Sequence, residues 1–182
     1  MKKAFFFIVL GLFAVVSNAS AQTSSDNVTL NIKLHPIHTL LVNPSQTEVD
    51  LAYQTKEDYA NGVNALRANH LTVYSTGGYE IKVNSFGSEL INSNPGARGN
   101  IDAGTVNITA SNGSKAQEGA SYTTQPLSTT GSTIVSATTG GVDNNYNIEY
   151  KGKNANAYLN HYVAGQNPTV YTTTVTYTII GK

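Results

Sequence analysis

The chain ends in a run of alternating residues, TVYTTTVTYTII, and this run severely limits the conformation of the C-terminal residues. Between Tyr171 and Ile179, Thr occupies every intervening position. A period of two puts successive side chains on opposite faces of a strand, and Thr, Val, Ile and Tyr are residue types that strands favour. The run therefore predicts a terminal strand whose buried face carries Tyr171, Thr173, Val175, Tyr177 and Ile179.

The same period recurs in NVTLNIKL, where Val28, Leu30, Ile32 and Leu34 share one face. Shorter strand-like runs are HTLLV, TEVDLAY, TVNITAS, STIVSA and the stretch around Tyr146, Ile148 and Tyr150, and turn-forming residues separate them. Only 12% of the residues are charged, which favours strands and turns over solvated helices. We expect an all-β fold, an immunoglobulin-like β-sandwich of about seven to nine strands.

Two stretches raise local questions. LTVYSTGGYEIKV keeps one phase from Leu71 to Val83, so the Gly77-Gly78 pair is either a bend within one long strand or a tight hairpin, and the phase favours the bent strand. Thr55 and Asp58 form a capping-box pattern before Gly62, which predicts a short helical turn within residues 56–66.

The N-terminal residues have the layout of a cleaved secretory signal. Lys2 and Lys3 precede an apolar run, and Ala19-Ser20-Ala21 forms a small-residue exit. We therefore expect residues 1–21 to be removed and residues 22–182 to form one exported domain, with 22–35 as a donor or first strand. With Lys2 and Lys3 removed, nine basic residues face eleven acidic ones, which does not suit binding to nucleic acid or insertion into an anionic membrane.

Residue patterns typical of catalysis are missing from the sequence. It contains no G-x-S-x-G, H-E-x-x-H, P-loop or dinucleotide-binding motif, and no Cys that could act as a nucleophile or lipid anchor. Glu48 and Asp50 fall on the outward phase of a predicted strand, and Glu57 and Asp58 follow closely, so these acids indicate a solvated face rather than a glycosidase pair. We expect a protein without catalytic residues and without a cofactor.

The histidines and two acidic loops are the candidate metal ligands of the sequence. The stretch HPIH offers His35 and His38, which His70 or His161 could complete as a third ligand, but two histidines around a proline indicate ordinary surface or strand-end residues more often than a zinc site. VDNNYN and KEDYANG hold oxygen ligands without the alternating Asp spacing of a calcium loop. The prediction is that no metal is bound.

The eleven tyrosines allow two interpretations. Exposed tyrosines could stack on sugar rings. The alternative is that they fill the sandwich with their hydroxyl groups at its rim, and the favoured set for this is Tyr53, Tyr79, Tyr146, Tyr150 and Tyr177.

The run TVYTTTVTYTII resembles the terminal strand of bacterial fimbrial subunits of the chaperone-usher type and of their spore-coat-like relatives, in which alternating apolar residues end the chain next to an aromatic residue. Together with DYANG and LTVYSTGGYEIKV, it is also similar to β-sandwich surface domains such as those of the WxL cell-wall-binding type. The likeness covers about half of the mature chain and is one of pattern. The chain departs from these families in having neither Cys nor Trp.

In chaperone-usher subunits the immunoglobulin-like fold lacks one strand, and a chaperone strand and then the N-terminal extension of the next subunit fill the groove by β-augmentation. The resemblance implies that the strand from Tyr171 to Ile179 borders such a groove and that Val28, Leu30, Ile32 and Leu34 belong to the donor, or else to the domain's own first strand. It also implies passage through the periplasm to the cell surface, with further copies, related subunits and a periplasmic chaperone as partners. A module that binds glycan or peptidoglycan is the second hypothesis.

Overall fold

A computed structural model describes residues 23–182, so the predicted signal at residues 1–21 lies outside the described residues. The described chain belongs to two units, an N-terminal segment of residues 23–34 and a folded unit from His35 to Lys182, and each is described by itself. The N-terminal segment contains no helix or strand.

Alternating and β-branched sequences form most of the strands in the folded unit. Its strands are β1 (His38–Val42), β2 (Asn64–Ser75), β3 (Tyr79–Ser85), β4 (Glu89–Leu90), β5 (Ile101–Asp102), β6 (Val106–Asn112), β7 (Ser121–Tyr122), β8 (Gln125–Pro126), β9 (Ser132–Ala137), β10 (Gly141–Gly152) and β11 (Val175–Gly181). A short helix, α1, spans Lys56–Asn61, and 3-10 turns span Pro44–Gln46 and Ala103–Thr105.

The strands form two main antiparallel sheets. One has the order β1-β2-β10-β6-β8 and the other the order β11-β3-β9-β7, while β4 and β5 pair as a small separate ribbon. Inward-facing residues of both main sheets form one hydrophobic core, which includes Leu71, Val73, Tyr79, Ile81, Val83, Val106, Ile108, Ile134, Val135, Tyr146, Ile148 and Tyr150. The folded unit is therefore an all-β sandwich, as the sequence predicts.

Several predicted strands occur where the pattern places them. HTLLV is β1, STIVSA is β9, and TVNITAS corresponds to β6 within one residue at each end. TEVDLAY, residues 47–53, is different: it belongs to no strand, although Val49 and Leu51 pack against the core. The 3-10 turn at Pro44–Gln46 separates this stretch from β1, and an alternating pattern cannot form a ladder where no partner strand lies beside it.

The prediction of one long bent strand through Gly77-Gly78 is wrong. β2 ends at Ser75 and β3 begins at Tyr79, and the two strands lie in different sheets, so they do not form a hairpin either. The chain crosses between the sheets here. The phase is kept, because Leu71, Val73, Tyr79 and Ile81 are all buried on the inside of the sandwich.

The predicted helical turn is confirmed as α1. Thr55 Oγ1 accepts a hydrogen bond from the backbone N–H of Asp58, and the Asp58 carboxylate accepts from the backbone N–H groups of Gln54 and Thr55. These backbone donors lower the pKa of Asp58. The helix ends at Gly62, which has a positive φ of 81° that an L side chain rarely adopts.

Candidate functional site

The first and last strands of the sandwich lie at the same side of the domain. β1 ends the five-stranded sheet and β11 ends the four-stranded sheet. A Cβ on Gly181 of β11 would collide with the imidazole of His38 of β1, so these strand ends are in contact. Among the described residues no backbone hydrogen bond joins the two strands. We call β1, β11 and residues 47–54 the open edge.

The opposite side of the sandwich is built differently. There the sheets end in β7 and β8, two-residue strands that are consecutive in the chain, so the backbone itself crosses from one sheet to the other. Pro126 in β8 cannot donate a backbone hydrogen bond to a further strand. Very short edge strands and edge proline are devices that prevent pairing with another chain. The far side is thus protected, and the open edge lacks these devices.

The terminal strand is an edge with no charge and no proline. The structure places its hydrogen-bonded part at Val175–Gly181, later than the predicted span from Tyr171 to Ile179, while Thr172 forms an isolated bridge with Ile91. The predicted inward phase is nevertheless correct: Tyr171, Thr173, Val175, Tyr177 and Ile179 are half-buried, and the Thr residues between them are exposed. A seven-residue uncharged edge presents a row of free backbone groups.

Burial drops sharply from β3 to its neighbour β11. Val83 and Ile81 of β3 are 1% and 0% exposed, whereas Tyr177 and Ile179, which lie directly opposite them in β11, are only half-buried. In both strands these side chains face the core, so the difference comes from what lies beyond β11. The apolar layer is less deeply buried at the open edge, as expected for an edge strand that has a neighbouring strand on one side only.

Residues 47–54 do not pair with either edge strand. Leu51 and Val49 contact the core, but the backbone from Glu48 to Tyr53 has no backbone partner among the described residues. β1 pairs with β2 only over Leu71–Ser75, and beyond it the β2 backbone from Asn64 to Ala68 makes no backbone–backbone hydrogen bond on that side, although a side chain, that of Gln46, contacts Ala68.

A chain of polar side chains crosses the interior beside the open edge. Gln46 Nε2 donates to the carbonyl oxygen of Ala68 at 3.0 Å, so Gln46 Oε1 accepts from Nδ1–H of His70, also at 3.0 Å. His70 Nε2 then accepts from the hydroxyl of Tyr150 at 2.9 Å, and the hydroxyls of Tyr150 and Tyr177 are 2.6 Å apart. The last contact joins β10 of one sheet to β11 of the other.

Burial keeps the side chains of this hydrogen-bonded row uncharged. Burial, and then the nearby charge of Arg67, lowers the pKa of the His70 imidazole. Burial raises the pKa of the Tyr177 hydroxyl, and Tyr150 adds to the effect. The expectation that tyrosine hydroxyls lie at the rim is wrong for this group and for Tyr79 and Tyr146, whose hydroxyls bond each other inside the core. A buried hydroxyl needs a partner, and here other side chains provide it.

Sequence reasoning did not predict the role of His70 or Arg67. His70 and Leu71 are adjacent and both buried, which strict alternation forbids. The cause is a bulge in β2. Leu71 lies opposite Tyr146 and Arg67 lies opposite Ile148, so β2 advances by four residues over the stretch in which β10 advances by two. Asn69, which has a φ of +50°, lies within the bulge. Asn is one of the few residue types other than Gly that adopt a positive φ readily, so Asn69 is the only local indication of the bulge in the sequence.

The N-terminal segment exposes the four apolar residues predicted to share one face. Val28, Leu30, Ile32 and Leu34 are between 79% and 93% exposed, and residues 23–37 form no strand. The first strand of the sandwich is therefore β1, and these four side chains are not part of its core. The assembly role of the segment stays a prediction.

A row of half-buried aromatic rings packs edge to face in the folded unit. It runs from Tyr59 through Tyr53, Tyr158 and His161 to Tyr171, with centroid spacings of 4.9–6.5 Å. Three of the hydroxyls are hydrogen-bonded, that of Tyr53 to the carbonyl of Lys153, that of Tyr158 to Thr105 and that of Tyr171 to the carbonyl of His161. Burial raises the pKa of Tyr53 to about 12. The row anchors the long loop between β10 and β11.

The histidines and acids considered from the sequence lie apart. His35 is exposed, His38 Nδ1 bonds Ser75 Oγ, and His161 Nδ1 bonds the carbonyl of Gly99. Glu48, Asp50 and Glu57 are exposed, whereas Asp58 caps α1. Within residues 23–182, no group of three or more His, Cys, Asp or Glu residues comes together as a metal site.

Comparison of the sequence with protein-family models and with curated proteins gave no match. Over the described part of the chain, no helix has both the length and the apolar character needed to cross a membrane.

Proposed function

We propose that this protein is a non-enzymatic bacterial surface subunit, fimbria-like and structural or adhesive, that assembles by β-strand complementation. In this proposal residues 26–35 of one copy pair with the open edge of the next. The observation that carries it is the combination at β11 of a long uncharged edge with an inward face that is only half-buried. An added strand would complete both the hydrogen-bond ladder and the apolar layer.

The N-terminal segment has the properties that such a strand needs. Its four apolar residues alternate, so an extended conformation turns all of them to one face. Their side chains are exposed, and each would gain about 1.5–3 kcal/mol from full burial. The polar alternates Thr29, Asn31 and Lys33 would face solvent. Export to the cell surface and transient protection of the open edge by a periplasmic chaperone belong to the same proposal.

Replacing Ile32 with Asp tests this function. A charge on the inserted face should abolish assembly, seen as loss of SDS-resistant ladders in unboiled samples and of concentration-dependent oligomers in sedimentation. Because Ile32 is 79% exposed, the free energy of unfolding of the monomer should change by only about 0.5 kcal/mol or less.

Asn31→Asp is the matched control, since it adds the same charge one position away, on the opposite face of an extended segment. It should assemble as the unchanged protein does. Equal assembly of both variants, or unfolding of Ile32→Asp by several kcal/mol as expected for an unpaired charge in a core, would contradict the proposal.

A further inference from the structure

Arg67 is a cation on the inner face of the sandwich beside the open edge. It lies directly opposite Ile148 in the β2–β10 pair, and residues opposite each other share a face of the sheet. Ile148 is fully buried in the core, so the Arg67 side chain points to the interior and is half-buried there. Arg67 also belongs to the part of β2 that β1 does not cover.

The guanidinium group of Arg67 has no hydrogen-bond or ion-pair partner within residues 23–182. The groups near it on the interior side are neutral: His70 on its own strand and Tyr150 on β10. The nearby carboxylate of Glu149 alternates to the other face and accepts from Asn64 Nδ2 at 2.7 Å. A half-buried charge is stable when an opposite charge is close, and reduced solvent screening strengthens that attraction.

The N-terminal segment carries one acidic residue in the matching phase. Asp26 precedes Val28 by two positions, so an extended segment turns its carboxylate to the same face as the four apolar side chains. Asp26 is exposed, and it is the only acid in residues 23–34. The segment's basic residue, Lys33, falls in the opposite phase.

We propose that Arg67, beside the open edge, determines which strand the open edge accepts, and that it pairs with Asp26 of a second copy when the N-terminal segment is inserted. This inference rests on the proposed function. An inward-pointing charge protects an edge from chance pairing with apolar strands. A strand that brings a carboxylate removes that penalty, so the same residue rejects wrong partners and accepts the right one.

A charge-swap experiment tests the pair. The full protein without residues 1–21, as wild type, Arg67→Glu and Arg67→Gln, is titrated with fluorescent peptides of residues 24–35, and binding is measured by anisotropy. The peptides are wild type, Asp26→Lys and, as an out-of-phase control, Lys33→Glu. Against the wild-type protein, Asp26→Lys should bind at least about tenfold more weakly than the wild-type peptide, and Lys33→Glu within about threefold of it.

Arg67→Glu should lose affinity for the wild-type peptide and recover it for the Asp26→Lys peptide. Arg67→Gln should bind both peptides with similar affinity, and urea unfolding of each variant checks that it is folded. If every peptide binds every protein equally, the Arg67–Asp26 pair is refuted while strand complementation stands. If no peptide binds and the protein stays monomeric at all concentrations, the proposed function fails, and this inference fails with it.

Discussion

Lowering the pH should reduce the free energy of unfolding, because His70 takes up a proton more readily in the unfolded state. The imidazole is 2% exposed, both ring nitrogens are bonded, and burial followed by the charge of Arg67 lowers its pKa. In the unfolded chain the pKa of the same group is about 6.5. Between the folded and unfolded pKa values the unfolded state binds the extra proton, so the free energy of unfolding falls as the pH falls.

The loss of unfolding free energy has an upper limit, because His70 binds only one proton. A single group changes the free energy of unfolding by at most about 1.4 kcal/mol per pH unit, so the loss from about pH 6.5 to about pH 5 is at most about 2 kcal/mol. Asp58 and Glu80, whose pKa values are lowered by their hydrogen bonds, contribute to acid unfolding at still lower pH. The change in unfolding free energy between about pH 6.5 and about pH 5 therefore comes mainly from histidine.

The assay is urea unfolding at about pH 7, 6 and 5 of the wild type and of His70→Gln. The variant loses packing at every pH, so the comparison uses the change in unfolding free energy between pH values. The wild type should lose more unfolding free energy than the variant over this range, by an amount of up to about 2 kcal/mol. Parallel curves for the two proteins would refute the reasoning, because the other histidines would then account for the whole dependence.

Two further substitutions test the packing of the fold. Gly62→Ala should destabilise the protein by about 1–3 kcal/mol in urea unfolding, because Gly62 has a φ of +81° and a Cβ there would lie 2.7 Å from the carbonyl oxygen of Gly152. Gly165→Ala is its control, since the φ is +89° but nothing lies within 4 Å; equal losses would show that the Gly152 contact has no effect. Tyr146→Phe leaves the buried hydroxyl of Tyr79 without that partner and should cost about 1–3 kcal/mol in thermal unfolding, whereas an unchanged Tm would contradict this.

The all-β fold could be predicted because strand formation leaves a local signature. Alternation and β-branched residues located β1, β6, β9 and β10, and Thr55 with Asp58 located α1. The pattern also gave the correct phase across Gly77-Gly78 although the chain changes sheet there. Alternation records which side chains face the core, and this property does not depend on the identity of the neighbouring strand.

The candidate site was only partly predictable for the same reason. TEVDLAY alternates as well as β1 does but forms no ladder, because the turn at Pro44–Gln46 leads it away from a pairing partner. The inward position of Arg67 and the burial of His70 depend on a bulge whose register is set by β10. No residue pattern within β2 predicts that register.

The sequence by itself determined the strand-rich class, the inward phase of the terminal strand and the alternation of apolar residues in the N-terminal segment. Only the tertiary structure decided that β1 and β11 lie together as unpaired edges while β7 and β8 cover the opposite side, and that His70, Tyr150 and Tyr177 meet between the sheets. The physical reason is that side-chain periodicity is a local property of the chain. Strand order and the contacts it creates arise between residues that are far apart in sequence.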